Sequence, residues 1–412
     1  MEEIKRSITP ETITGKKEQR MQYETSEFSK ERLTTGLLFW AGLIVMSSLY
    51  MTIPLIPTFS DAFQVSAGEA AWAGSIFSIF FAAGCLVYGP LSERVGRKRT
   101  IVAGLLVLAV VTLLLGMVPT FSALLIGRAF QGLAAASFSP VALAYIGDMF
   151  APAKRGSVIG FISAGFLIAG IFGQTWSSAA VQAANWHWVF LLLGLVYVLT
   201  FVLMWRLLPV DPSKGKTGGK PSFLSQLQRA VKNKSLMLCF LVTLSVLMVF
   251  VGMYSSLGQY LQGTFELSQG DILYVRAAGL IGISVAFFTG RWSRRVGSPF
   301  ILRAGLGVGA LSLLLMVVSG SLWLLVTWSV LFTVGAGLIV PAIIALINQV
   351  GAEVRGVATS LYTFILFIGA SIGPVLSTAV SQTVSVEWAF GVLALIYALS
   401  FVTALGIRVP DQ

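Results

Sequence analysis

The chain has 412 residues, of which 56% are hydrophobic and only 11% charged, with a mean hydropathy of +0.86. Soluble domains carry about 25% charged residues, so this composition excludes a soluble fold and points to an integral membrane protein. The net charge of +11 does not mark a nucleic-acid binder, because Lys and Arg stand in short clusters between apolar runs and never interleave with exposed aromatics.

Residues 1–34 mix seven Lys/Arg with seven Glu and few large apolar side chains. Such a segment cannot bury a core and reads as a solvated, cytoplasmic tail. It lacks the short apolar stretch and small-residue cleavage site of a secretory signal, and the first apolar run is long enough to remain in the membrane.

From Thr35 onward the chain alternates apolar runs of roughly 20 residues, the length that about 30 Å of hydrocarbon demands of a helix, with short polar breaks. Twelve runs are predicted, at 35–57, 70–90, 100–118, 122–147, 156–180, 187–208, 235–260, 271–290, 300–319, 322–348, 356–380 and 387–408. In lipid a spanning segment must satisfy its own backbone hydrogen bonds, and β-barrel strands would show ten-residue alternation, so all twelve read as helices. Cys85 and Cys239 both fall inside apolar runs, which leaves neither a disulfide framework nor a Cys-based metal site. No metal and no cofactor is expected.

The breaks after even-numbered spans carry Arg94, Arg97, Lys98 and Arg99, then Lys154 and Arg155, then Arg206 through Lys234, then Arg291, Arg294 and Arg295, then Arg355. Those after odd-numbered spans carry none, and Asp61, Glu69, Glu266, Asp271 and Glu387 fall on that side. The positive-inside rule then places both termini, including residues 409–412, in the cytoplasm. The longest break, 209–234, holds Pro209, Pro212 and Pro221 and reads as a basic cytoplasmic linker. A short amphipathic piece near Phe223, Leu224, Leu227 and Val231 suits the membrane surface.

An internal repeat runs the length of the chain. Shifts of 200 or 201 positions set Pro140 on Pro341, Arg155-Gly156 on Arg355-Gly356, Gly173 on Gly373, Trp188 on Trp388, Phe190 on Phe390 and Tyr197 on Tyr397. Each copy holds six spans, 35–208 and 235–408, so the second enters the membrane in the same direction as the first. The predicted fold is all-α: twelve transmembrane helices in two pseudo-symmetric six-helix bundles, related by an axis along the membrane normal and suited to rocking around a midplane site.

Between the second and third spans stands Gly89-Pro90-Leu91-Ser92-Glu93-Arg94-Val95-Gly96-Arg97-Lys98-Arg99, with a partial copy from Gly290 to Gly297. Gly89 and Gly96 permit close helix approach and a tight turn, Glu93 and Arg97 stand one helical turn apart, and the other cations can anchor to anionic lipid. Positive-inside anchoring alone would account for Arg97, Lys98 and Arg99, though not for the glycines or their copy. The copy replaces Glu93 by Arg294, so a partner for Glu93 is expected on the other half, near Arg355 and Gly356.

The twelve spans, the central basic loop and this motif resemble the major facilitator superfamily, specifically its twelve-helix drug:proton antiporter-like exporters. Glu93 stands where that family more often has Asp. The resemblance implies that Gly89, Glu93, Arg94, Gly96, Arg97 and Lys98 tie the two halves together on the cytoplasmic side in the outward-facing state. It also covers Arg128-Ala129-Phe130-Gln131-Gly132 in the fourth span, similar to a motif the family places in proton coupling, with Ala134 where Gly often stands. That makes Arg128, Gln131, Gly132 and nearby Asp148 coupling candidates. A charge at that depth costs a few kcal/mol on insertion scales and so faces the protein interior with a partner, unless it snorkels to the interface.

The fifth span carries Gly165, Gly170, Gly173, Gln174 and Thr175 with no proline, where such exporters often have Gly-Pro. All acids lie in the tail, in loops or at helix ends, so a proton site must be chosen among Asp148, Glu93, Glu69 and Asp271; His187 reads as interfacial. In the eighth span Arg276 stands opposite Ser75 in the repeat. It can bind an anionic part of a substrate, pair with an acid across the cavity, or snorkel toward Asp271 or Glu266.

Packing of the family's kind puts the cavity among spans 1, 4, 7 and 10 with parts of 2, 5, 8 and 11. Its candidate lining is Tyr50, Met51, Pro54, Gln174, Tyr254, Gln259, Arg276 and Asn348, a set suited to a fairly apolar or amphipathic small molecule held by shape. One His and no HExxH, GxSxG or Walker loop leave nothing to support catalysis or ATP hydrolysis. The expectation is a monomeric secondary active transporter in the cell membrane, exporting a small organic compound against inward proton flow. A facilitative or proton-coupled transporter of a sugar or other metabolite, and a transporter-derived sensor, remain the alternatives.

Overall fold

The computed structural model describes residues 10–210 and 223–409, and among these every regular element is helical. Twelve helical stretches are long and apolar enough to cross a membrane. The first span is the end of α1 (Pro10–Tyr50), which turns through residues 51–55 into α2 (Ile56–Phe63). Spans two and three are α3 (Ala67–Val95) and α4 (Arg97–Leu115), and span four is split into α5 (Phe121–Ala135) and α6 (Ser139–Met149). Then come α7 (Pro152–Ala183), α8 (Trp186–Leu207), the short α9 (Phe223–Lys232) and α10 (Lys234–Phe265). Span eight is split into α11 (Gln269–Ile283) and α12 (Ala286–Val296), followed by α13 (Ser298–Val317), α14 (Leu322–Val350), α15 (Arg355–Thr383) and α16 (Val386–Leu405).

Two departures from the sequence expectation concern chain ends and linker. The described part of the tail is helical from Pro10, and its end is not wholly solvated, because Glu31 pairs with Lys154 at 2.5 Å. The amphipathic piece of the linker, α9, packs on α10 and α15 with Ala230 fully buried, so protein covers part of it. Residues 211–222 lie outside the described residues.

Local chemistry sets the helix boundaries. Ser66 accepts from the Glu69 amide while the Glu69 carboxylate takes the Ser66 amide, and Ser268 and Asp271 repeat this capping box at the matching place in the second half, each satisfying two amides that a helix start leaves open. The break in span four lies just before Pro140, in the first turn of α6, where a missing N–H and a fixed φ do no harm. Gly96 has φ 103° and Gly297 φ 85°, left-handed values that suit glycine at the sharp corners between α3 and α4 and between α12 and α13.

The two halves pack alike. In the first, α1 lies on α7, α3 on α5 and α4 on α8; in the second, α10 lies on α15, α11 on α14 and α13 on α16. A Cβ added at Gly173 would stand 2.5 Å from the Ser47 carbonyl oxygen, and one at Gly373 would stand 2.2 Å from that of Met248. Glycine at both positions is thus what brings the backbones of spans one and five, and of seven and eleven, into contact. Between the halves, α3 packs on α15 and α7 on α12. The chain direction gathers the Lys- and Arg-bearing ends of all the spans at one face, called here the basic end.

Candidate functional site

At the basic end the halves meet along two seams. On the first, Gly89 of α3 lies so close to α15 that an added Cβ would stand 1.7 Å from Ser360 Oγ, and one at Gly356 would stand 2.0 Å from Glu93 Oε1. Glu93 therefore sits on the other half at Gly356, the place expected from sequence. On the second seam a Cβ at Gly290 of α12 would stand 2.1 Å from the Gly156 carbonyl oxygen, and one at Gly160 would stand 2.5 Å from that of Ala286. The seams are related by the repeat; Glu93 stands on the first, whereas on the second Arg294, its counterpart, donates to the Ala153 carbonyl.

An ion cluster backs the first seam. Arg97, 4% exposed, donates through Nε to Asp148 Oδ2 at 3.2 Å and through Nη1 to Ser92 Oγ at 2.5 Å, and it stands 3.6 Å from Glu93. Arg355 reaches the same Asp148 across the halves at 3.8 Å and donates to the Gly147 carbonyl at 3.3 Å. Asp148 is thus an acid that Arg355 meets. Arg94 is exposed and Lys98 half-buried.

Arg128 is fully buried and does not snorkel. Its Nε donates to the Ala73 carbonyl at 2.8 Å, Nη2 to the Ser48 carbonyl at 3.0 Å and Nη1 to Gln131 Oε1 at 2.5 Å. The guanidinium lies over the Phe77 ring at 4.4 Å from its centroid, a cation–π contact. Gln131 passes the chain on by donating to Thr112 Oγ1 at 2.8 Å, and Gly132 lets α5 approach α3, where a Cβ would stand 2.3 Å from the Phe77 carbonyl oxygen. One side chain thereby ties together spans one, two and four, using neutral acceptors.

Away from the basic end, a cavity of about 830 Å³ lies between the halves. Tyr50, Gln174, Tyr254 and Arg276 line it, on walls formed by spans 1, 2, 5, 7, 8 and 11. Two expectations need correction. Spans 4 and 10 contribute no lining residue, because α5 and α6 pack against α3 and α4 while α14 packs against α11 and α13. Of the expected lining residues, Met51, Pro54, Gln259 and Asn348 do not face this cavity. Met51 turns into the core with no exposure; Pro54 lies in the turn before α2. Gln259 is exposed and donates to Thr378 Oγ1, a lining residue, at 3.3 Å, and Asn348 lies at the basic end of α14.

Arg276 takes the cavity option among its alternatives. Its Nη1 donates to Gln174 Oε1 at 2.5 Å across the halves and its Nη2 to the Tyr254 carbonyl at 3.4 Å. Asp271 is engaged in its capping box with Ser268, as Glu69 is with Ser66. His187 stacks on Trp186, ring centroids 3.7 Å apart, at the start of α8. Among the described residues no group of three His, Cys, Asp or Glu is placed to hold a metal ion.

Sequence reasoning did not find Ser360 or the Gln174–Arg276 bond. Ser360 was accessible through the repeat, since it is the counterpart of Gly160, which forms the matching seam; the Gln174–Arg276 pair, 102 positions apart, left no signal in periodicity.

Comparison with known proteins gives concordant results. The profile of the Major Facilitator Superfamily matches residues 38–318 and 277–412. The uncharacterized MFS-type transporter YybF of Bacillus subtilis (strain 168) is 27% identical over 348 residues, 83% of this chain and 85% of its own. Multidrug resistance protein 3 of the same organism is 34% identical over 120 residues, 29% of this chain and 23% of its own. Among solved structures, the human organic anion transporter MFSD10 (TETRAN) has a TM-score of 0.75 at 16% identity, covering 91% of this chain and 99% of its own. FucP, in its outward conformation, has a TM-score of 0.74 at 15% identity, covering 91% and 98%. At such identities these structures speak for the fold alone.

Proposed function

The chain belongs to the Major Facilitator Superfamily of transporters, and we propose that it is a monomeric secondary active transporter that exports a small organic compound from the cell by alternating access, driven by inward proton movement. The observation that carries this reading is the contrast between the two ends of the molecule: two glycine-lined seams close the basic end, while a cavity of about 830 Å³ lies between the halves away from it. That is the arrangement of a carrier with one gate shut, and the Lys/Arg bias assigns the shut gate to the cytoplasmic side. Separating the seams and closing the halves over the cavity would complete the exchange of access.

The acids sort into two roles on this reading. Glu69 and Asp271 serve as helix caps, whereas Glu93 and Asp148 stand where the halves meet. Protonation of Asp148 would remove the attraction that Arg97 and Arg355 share and so loosen the shut gate, which couples a proton to the change of state. The apolar character of the wall around Leu167, Ile171, Phe250 and Val251 favours an amphipathic cargo, and the partial similarity to a multidrug resistance protein supports export of a drug-like compound.

The test is flux in proteoliposomes with an imposed pH gradient, across a panel of antimicrobials, sugars and amino acids. Saturable movement of one class that speeds up with the gradient is expected. Saturable flux indifferent to the gradient would remove proton coupling, and binding without flux would leave a sensor.

A further inference from the structure

Among the described residues that line the cavity, Arg276 is the one charged side chain. A guanidinium carries five N–H donors and no acceptor, yet here its partners are two neutral oxygens, Gln174 Oε1 at 2.5 Å and the Tyr254 carbonyl at 3.4 Å. Its Nε has no partner, and neither has the hydroxyl of Tyr254 on the neighbouring helix. A cation at membrane depth against an apolar wall is costly unless an anion or a full set of acceptors compensates it. The repeat adds an independent point. The equivalent residue of the first half, Ser75, also faces the cavity, so the scaffold folds around an uncharged side chain at this position and the charge is not a requirement of helix packing.

We infer that the cavity binds an amphipathic organic monoanion, whose carboxylate or sulfonate displaces the Gln174 amide from Arg276 while its apolar body lies on Leu167, Ile171, Phe250 and Val251. The inference rests on the reading of the cavity as the substrate site and narrows the cargo class. A carboxylate or sulfonate offers two oxygens to the planar fork of Nη1 and Nη2, a charge-assisted pair stronger than the amide contact it replaces. Since Gln174 belongs to α7 and Arg276 to α11, the anion exchanges a contact between the halves for a contact with itself, which an uncharged amphiphile cannot do.

Equilibrium dialysis of the purified full chain in detergent, against matched protein-free micelles, tests this with 8-anilinonaphthalene-1-sulfonate and its uncharged parent N-phenyl-1-naphthylamine. The wild-type protein is expected to hold the sulfonate about tenfold or more tightly than the parent. Arg276→Gln is expected to abolish that preference by weakening the sulfonate about tenfold or more, and a thermal-unfolding midpoint close to that of the wild type certifies that the variant is folded. Gln174→Glu places a carboxylate on Arg276 from within and is expected to abolish the preference as well. Equal binding of the two probes by the wild type, binding of neither, or a preference that survives Arg276→Gln would each overturn the inference. Phosphatidylglycerol offers the same anionic chemistry on a lipid. Displacement of the sulfonate by it at equal concentration would give the site to lipid and overturn the soluble anion, and its failure to displace supports the inference. No gradient enters the measurement. Arg276-dependent binding without movement into liposomes would sink the transport reading and leave the anion site, whereas transport of a neutral cargo with no anion preference would do the reverse.

Discussion

Gly290→Ala is the most direct test of the seams. The added methyl would stand 2.1 Å from the Gly156 carbonyl oxygen, 2.2 Å from its carbon and 2.4 Å from the Ser157 nitrogen. All three are backbone atoms, so no rotamer change relieves the overlap, and α7 and α12 must part by about 1 Å to restore van der Waals contact. Overpacking of this kind costs about 1–3 kcal/mol where it is borne. Here it is escaped by opening the basic end, so about 2 kcal/mol shifts the balance between shut and open gates about 30-fold. Gly89→Ala is the control: its methyl would clash first with Ser360 Oγ and stands 3.0 Å from the Gly356 carbonyl oxygen, so a hydroxyl can rotate away and the shift should be smaller. Spin labels on Arg99→Cys and Phe300→Cys, both exposed at the basic end of α4 and α13, report the separation. The native Cys85 and Cys239 are buried and escape the label. A longer distance is expected in Gly290→Ala. An unchanged distance distribution in a variant of wild-type thermal stability would refute the steric account of the seam.

Three further outcomes are expected. Arg128→Lys keeps the charge but cannot reach the Ala73 and Ser48 carbonyls and Gln131 together; flux should fall about tenfold or more and the midpoint of thermal unfolding should drop, as three charge-assisted bonds become one. Asp148→Asn leaves Arg97 with Glu93 at 3.6 Å but removes the carboxylate shared with Arg355, and the pH dependence of flux should flatten; Glu69→Gln, which touches only a capping box, should keep the wild-type profile. Tyr197→Phe loses two bonds, to Ser48 Oγ at 2.6 Å and the Ile44 carbonyl at 3.0 Å, and should cost about 1–2 kcal/mol in unfolding free energy. Tyr397→Phe loses one bond of 3.4 Å and should cost less than about 0.5 kcal/mol.

Spans and repeat were legible because lipid enforces them: a segment that crosses must be apolar for its whole length, and the two copies keep glycine at equivalent close contacts of backbones such as Gly173 and Gly373. The contact of the halves at Gly89 and Glu93 was implied by the family resemblance, with Glu93 directed to the region of Arg355 and Gly356, whereas the second seam at Gly156 and Gly160 was not foreseen. Rotation of the helices about their axes was not legible. A span that is apolar all round presents no polar face to mark its inner side, so Met51, next to Tyr50 on the chain, could not be told from it, yet one turns into the core and the other lines the cavity. Asp148 was legible as an acid at a helix end but not as the meeting point of Arg97 and Arg355, which come from 51 positions before it and 207 after. The absence of spans 4 and 10 from the cavity wall likewise depends on how α5, α6 and α14 pack within their own halves, which an apolar span does not mark.

The neutral bonding of Arg128 has an electrical side. Guanidinium stays protonated at physiological pH, and its partners here are carbonyls and an amide, so the first half carries a fixed positive charge inside the membrane; Arg276 gives the second half another. A membrane potential of 100 mV acts on one elementary charge with about 2.3 kcal/mol over its full drop, so moving one guanidinium through a fifth of it changes the ratio of the two states about twofold. On the proposed alternating access, the rocking of the halves would be sensitive to voltage as well as to cargo, and an anion held at Arg276 would cancel one of the two charges on which that voltage acts.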